Sequence, residues 1–301
     1  MDRPIISLCL PTNGIIEWVF PVLDSIYNQN VDKKLYEVIV TNNGGNSEFH
    51  KQMCEYAKKY NNLIYKKTDV YMFYNQLEAL KIANGMYLKF VNHRAVLIDG
   101  ALENIINVIQ NNIQEKPVIF FSNGTLEHSK YKLKSFDEFV CKLGRYASWT
   151  TGVGIWKEDY DKLPQNIHVD KISPHSCILF AERNKNSYLI DNNVFSQELE
   201  KSHEKKGTYD LFKAFAVEEL LITMNLYIDG NISANTLKEV KKDYKAFVCD
   251  LYYQFIIRKK KCSYDLSGFD NAMGIFFSKK EIIVGAYKLV IKKIINKFRR
   301  G

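Results

Sequence analysis

Three groups of residues have types and spacings that could do chemistry. The first is a pair of turns, Pro11-Thr12-Asn13 and Asn42-Asn43-Gly44, each closing a β-rich run. Two such turns side by side at one sheet edge would present backbone groups to the base and ribose of a nucleotide, although Asn-Asn-Gly-Gly alone is also an ordinary tight turn. The second is Asn92-His93-Arg94. Asn92 and His93 offer a divalent cation two weak ligands, whereas the Arg94 guanidinium grips phosphate oxygens in pairs without any ion. The third is Asp170 followed by Pro174-His175. A carboxylate or an imidazole can take the proton of a hydroxyl, and the plainer role for Asp170 is to cap a helix entry or to pair with Lys171. Asp159, inside the charged run Lys157 to Lys162, reads as a solvated helix start. Trp149 and Trp156 would suit stacking on a sugar-like ring, but with 19 Tyr and 18 Phe in the chain the usual fate of an aromatic is the core.

The elements that must hold these residues follow from periodicity. Strands are expected at Ile5–Leu10, Tyr36–Thr41, Leu63–Lys66, Met86–Val91 and Pro117–Ser122. Helices are expected at Gly14–Tyr27, 47–60, Asn75–Ala83 and Ala101–Asn111. This alternation predicts an α/β fold with a single, mostly parallel, Rossmann-like sheet flanked by helices, whose strand ends carry the site. Residues 123–150 are polar and aromatic with weak periodicity. Thr150–Lys157, Pro174–Arg183 and Ser187–Asn193 then read as strand, helix and strand. The expected organisation is one domain over 1–237, made of halves 1–122 and 123–237, followed by a helical basic region over 238–301.

Composition narrows the class. The 301 residues are 46% hydrophobic with only 15 Gly and 6 Pro, which excludes a disordered or collagen-like chain. Six cysteines without a Cys-x-x-Cys pair, and no apolar leader after Met1, predict a reduced, cytoplasmic protein. No stretch reaches 18 consecutive apolar residues, so no membrane span is expected.

Four segments in register resemble the family 2 glycosyltransferases of the A-type nucleotide-sugar fold. They are Ile6 to Asn13, Tyr36 to Gly44, the helix Asn75 to Gly85, and Tyr87 to Arg94 followed by Gly100-Ala101-Leu102. Thr151 to Lys157, running on through Asp170 and His175, is similar to the acceptor half of a bacterial polysaccharide branch that includes abequosyltransferase-like enzymes. The resemblance implies transfer of a sugar from a nucleotide donor, UDP-sugar first, to a lipid-linked or cell-surface glycan of the capsule, lipopolysaccharide or teichoic-acid kind, with inversion at the anomeric carbon. It places donor binding at Pro11, Thr12, Asn13, Asn42, Asn43, Asn75, Asn92, His93 and Arg94, and acceptor chemistry at Asp170 and His175. The family has an Asp where this chain has Asn42, and an Asp-x-Asp pair holding Mn or Mg where this chain has Asn92-His93-Arg94. The resemblance therefore implies a Mn or Mg cofactor while the residues at 92–94 argue against one and for a cationic clamp. The rival reading is a catalytically degenerate binding or scaffold protein. A nucleotidyltransferase is disfavoured, because Pro11-Thr12-Asn13-Gly14 lacks a Gly-rich basic loop.

The charge is unevenly placed. Of 42 Lys plus Arg and 34 Asp plus Glu, the segment 238–301 holds 16 and 6, a net of +10, and the rest is −2. From Ser278 onward, Ile283, Tyr287, Val290, Ile291, Ile294 and Phe298 make one helical stripe among lysines. This predicts a helix lying on an anionic membrane surface, at the inner face of the plasma membrane, with packing on the domain or self-association as the alternatives and nucleic acid disfavoured.

Overall fold

The computed structural model describes residues 3–164, 167, 169–200 and 207–298, the last seven of these as backbone only. Contacts divide the chain into two units, 1–136 with 146–200, and 137–145 with 201–301. The expected boundary at 237 falls inside one helix, Ala234–Leu251, whose N-cap Ser233 accepts from the Thr236 N–H. The basic composition that begins at 238 is therefore a change along a helix, and the break between units lies earlier in the chain.

The first unit opens with β1 (Ile6–Thr12), α1 (Ile16–Tyr27), β2 (Tyr36–Asn42), α2 (Ser47–Ala57), β3 (Leu63–Lys67), α3 (Asn75–Ile82) and β4 (Tyr87–Phe90). It continues through β5 (Ala95–Leu97), α4 (Ala101–Gln110), β6 (Val118–Phe121) and β7 (Lys130–Leu133). After α5 (Phe136–Leu143), which runs into the second unit, come β8 (Gly154–Trp156), α6 (Lys157–Lys162), α7 (Pro174–Ala181), β9 (Tyr188–Asp191) and β10 (Ser196–Glu198). The central sheet has the order β3-β2-β1-β4-β8, parallel except for β8, which runs antiparallel to β4. A bridge between Phe120 and Val153 connects it to a smaller sheet, β6-β9-β7, and β5 pairs with β10.

Alternation along the strands sorts the two sheet faces. Leu8, Leu10, Val38 and Val40 share one core with Val19 and Leu23 of α1, Phe49 of α2 and Ile105 of α4. The alternate residues face α3: the Thr41 hydroxyl donates to the Asn75 carbonyl. At the amino end of the strands Glu37 accepts from the Ser7 hydroxyl and from the Asn84 and Gly85 N–H groups. Gly85 is required there, because a Cβ would lie 2.6 Å from the Ser7 nitrogen.

The expected strand at Thr150–Lys157 is shorter than its pattern. Thr150–Gly152 is a 3-10 turn and pairing begins at Gly154, because Gly152 and Gly154 lie against the rings of Phe120 and Tyr87 where a Cβ would come within 2.2 and 2.4 Å. Trp156 is not a stacking platform: it is 1% exposed, with its indole N–H donating to the Pro117 carbonyl.

The second unit is helical: α8 (Leu211–Lys213), a π-helical turn at Ala214–Glu218, α9 (Glu219–Ile228), α10 (Ala234–Leu251) with a π-helical end at Tyr252–Ile257, α11 (Phe269–Ala272) and α12 (Lys279–Phe298). Helix α12 packs on α10 through the fully buried Ile282 and Ala286, and Gly285 permits the close approach, since a Cβ there would lie 2.4 Å from the Cys249 sulfur. The expected stripe is thus rotated: Tyr287 and Ile291 are exposed, and Ile283 and Val290 are half-buried. No helix among the described residues is long and apolar enough to cross a membrane.

Candidate active site

Because β1, β2 and β4 are parallel, their carboxyl ends meet at one edge, and side chains tie those ends together. Asn75, 2% exposed, donates from Nδ2 to the Thr12 and Thr41 carbonyls and accepts from the Thr68 hydroxyl at Oδ1. Asn42, fully buried, accepts from the Gly44 N–H at 2.8 Å and donates to the Tyr65 hydroxyl. The Asn43 amide donates to the Val70 and Met72 carbonyls, gripping the loop after β3 on both sides of Tyr71. Gly44 touches the first turn so closely that a Cβ would lie 1.8 Å from the Asn13 carbonyl oxygen. These three asparagines are engaged in building the turns, so Asn42 in place of an acid serves as a hydrogen-bonding brace. The open groups at the edge are the half-buried Pro11, the exposed Asn13 and the Gly44–Gly45 backbone.

The loop after β4 closes the same edge. The His93 ring nitrogen Nδ1 lies 2.8 Å from the Thr12 hydroxyl, which also accepts from the Gly14 N–H, and the ring stands edge-on to Trp18 at 5.2 Å. Burial, reinforced by Arg94, pushes the imidazole down to about 3, so His93 is neutral at physiological pH and adds no charge to a clamp. Asn92 accepts the Arg94 N–H with its side-chain oxygen. Arg94, with a side chain 18% exposed, holds Nε 3.8 Å from Glu198 of β10, and that buried Nε has no hydrogen-bond partner.

This donor set does not fit a divalent cation. Residues 92–94 supply no carboxylate, the Asn92 oxygen accepts the Arg94 N–H, and the neighbouring acid Glu198 faces the guanidinium. Among the described residues no group of three or more His, Cys, Asp and Glu side chains comes together.

Asp170 and His175 lie together around α7. Asp170 Oδ1 accepts from the Ile172 and Ser173 N–H groups at 2.7 and 2.9 Å, which closes a turn just ahead of α7, and its other oxygen carries no hydrogen bond among the described residues. His175 is 4% exposed. Its Nε2–H donates to the Ser148 carbonyl at 2.8 Å, and its Nδ1 lies 3.2 Å from the Gln76 side-chain oxygen. With its one N–H committed to Ser148, Nδ1 packed against Gln76 and burial pushing the ring down to about 4, His175 ties α3 to the segment before β8 and is not an open base. Asp159, the weaker acid candidate, is ion-paired with Lys185 at 2.5 Å beside the buried Glu182.

One residue escaped the sequence reading. Lys89, in β4, is 1% exposed, donates to the Thr151 and Phe90 carbonyls, and lies 4.7 and 4.6 Å from the ring centres of Phe121 and Phe195. Burial pushes its ammonium down to about 7. A lysine in an otherwise apolar four-residue strand was the available signal.

A parallel sheet of order β3-β2-β1-β4 with an antiparallel β8 is the A-type fold that solved glycosyltransferase structures share. Over 130 residues the chain is 28% identical to the minor teichoic acid biosynthesis protein GgaB of Bacillus subtilis (strain 168), a match spanning 41% of this chain and 14% of that protein. Among solved structures, S. aureus TarS 1–349 in complex with UDP-GlcNAc superposes with a TM-score of 0.60 at 14% identity, covering 90% of this chain and 80% of that one. The mannosyltransferase PcManGT of Pyrobaculum calidifontis in complex with GDP-Man and Mn2+ gives 0.51 at 14% identity over 74% and 65%. No family model matches the chain.

Proposed function

We propose that this protein is an inverting glycosyltransferase that moves a sugar from a nucleotide-diphosphate donor, UDP-sugar first, to a lipid-linked or cell-surface polysaccharide acceptor at the cytoplasmic face of the plasma membrane. The observation that carries the reading is the convergence of the β1 turn, the β2 turn and the Arg94 loop at the carboxyl edge of an A-type sheet. The relation to a teichoic acid biosynthesis protein supports a cell-surface glycan as product. Base and ribose would lie against the Pro11–Asn13 and Gly44–Gly45 backbones.

In the transfer, the acceptor oxygen attacks the anomeric carbon from the side opposite the diphosphate. Its proton passes to the free oxygen of Asp170 while the bond from carbon to the diphosphate oxygen breaks. Arg94, aimed by Glu198, takes the charge that grows on the departing diphosphate, work that a guanidinium does by paired N–H donation. His175 acts only by holding α7 against α3.

The test is release of the nucleoside diphosphate from UDP-, CDP- and GDP-sugars with Mn or with EDTA, and the anomeric configuration of the product by NMR. Transfer that survives EDTA and inverts configuration is expected. Abolition by EDTA would remove the Arg94 clamp, and retained configuration would remove the single-displacement role of Asp170. The absence of carboxylates at 92–94 is the observation that favours a non-catalytic binding module. That reading predicts no turnover of any donor, and unchanged biological output in Arg94→Ala and Asp170→Asn.

A further inference from the structure

We propose that one face of α12 is a docking surface for an anionic lipid bilayer, and that Val284, Tyr287 and Ile291 are the side chains that enter it. These three are 43, 55 and 57% exposed, an unusual state for large apolar groups three and four residues apart on a well-packed helix. Ile282 and Ala286, on the opposite side of α12, are fully buried, so the helix is already anchored on its own unit and the outer stripe is surplus to the fold. Lys280 and Lys288 lie on the same outer face as the stripe, both exposed and without an ion-pair partner among the described residues. The sequence continues the spacing with Ile295 and Phe298 and adds Lys292, Lys293, Lys297, Arg299 and Arg300. Residues 299–301 lie outside the described residues.

Charge selects the occupant. From 278 to 301 the chain carries a net +7, with Glu281 its single acid, and Glu281 is committed to Lys245 at 2.6 Å and to the Ser278 N–H. A second copy would set this charge against itself, and a neutral apolar partner would leave the lysines unanswered. An anionic headgroup layer answers both parts, with lysines at phosphate level and a tyrosine at the apolar boundary. The inference stands apart from the transfer chemistry and needs neither donor nor acceptor.

The decisive experiment floats the full chain on phosphatidylcholine vesicles and on vesicles that also contain phosphatidylglycerol. Binding to the second kind only, weakened by salt, is expected. The combined Val284→Ser, Tyr287→Ser and Ile291→Ser variant should bind roughly tenfold less or worse while its circular dichroism is unchanged. Lys280→Gln and Lys288→Gln should each weaken binding roughly fivefold and reduce the salt dependence. Since both lysines are exposed, these variants keep the test informative if the triple variant misfolds. Equal flotation by wild type and the lysine variants would overturn the proposal, as would failure of the wild type to float. A wild-type dimer that the triple variant makes monomeric would identify a second copy as the occupant instead.

Discussion

Asp170 shows how one side chain can hold two duties that a single substitution separates. Asn keeps the Oδ1 that accepts from Ile172 and Ser173 but cannot accept a proton, whereas Ala loses both. Asp170→Asn is expected to lower kcat by about 10² to 10⁴ with little change in donor KM or in thermal midpoint. Asp170→Ala adds a loss of about 1 kcal/mol in stability from the missing turn bonds to Ile172 and Ser173. Steady-state kinetics beside calorimetry checks the pair. Arg94→Ala should reduce kcat/KM by about 10² or more, and Arg94→Lys should recover only part, because an ammonium cannot reproduce paired donation. Adding Mn should not rescue either variant, since Glu198 alone is too few carboxylates to hold a cation beside Asn92.

At the scale of elements, Asn75 bears on both fold and site. It belongs to α3 yet donates to carbonyls of β1 and β2 and accepts from the Thr68 hydroxyl, so Asn75→Ala removes three buried hydrogen bonds at once, although the Thr12 carbonyl keeps the Asn43 N–H. A loss of about 2 to 4 kcal/mol is expected, with weaker binding of UDP in whatever fraction stays folded, read by urea titration and calorimetry. Its helix was legible in the sequence through its periodicity, and so were β1 and β2, because continuous apolar runs bounded by turn residues mark buried parallel strands, whereas β3 is a mostly exposed edge strand and β4 carries Lys89. Less of the edge was legible. Residues 123–150 read as weakly patterned, and β7 within them alternates exposed and half-buried positions on an outer strand. The β5–β10 ladder has three residues on each side and a sequence separation near 100, too short for periodicity to mark either strand.

At the scale of the whole molecule, charge and titration matter. The second unit holds 22 of the basic residues against 13 acids, a net of +9, and the first is left at −1. The pH response of the first unit is set by buried groups. His175 has a folded value of about 4 against 6.5 for a free imidazole, so between these values the unfolded chain binds more protons and stability falls as pH is lowered. The loss is roughly 3 kcal/mol at its limit, and His93 adds to it in the same direction. Glu182, held well above the carboxylate range by burial and Asp159, works with the opposite sign. Lys89, at about 7, makes stability rise from neutral pH upward. All three tryptophans lie in the first unit, so their fluorescence during urea unfolding isolates it. His175→Gln is expected to flatten the dependence between pH 4 and 6.5.

The sequence by itself determined the fold class, the strand-end turns and the uneven charge, because each is written in neighbouring residues through periodicity, turn chemistry and simple counting. Only the tertiary structure decided that Asn42, Asn43 and Asn75 brace the site, that His175 is spoken for, that Lys89 is buried among aromatics, and which face of α12 is left open. Those properties depend on partners far along the chain, such as Thr12 for His93 and Gln76 for His175, and burial by distant segments is what fixes a group's charge and its free valences.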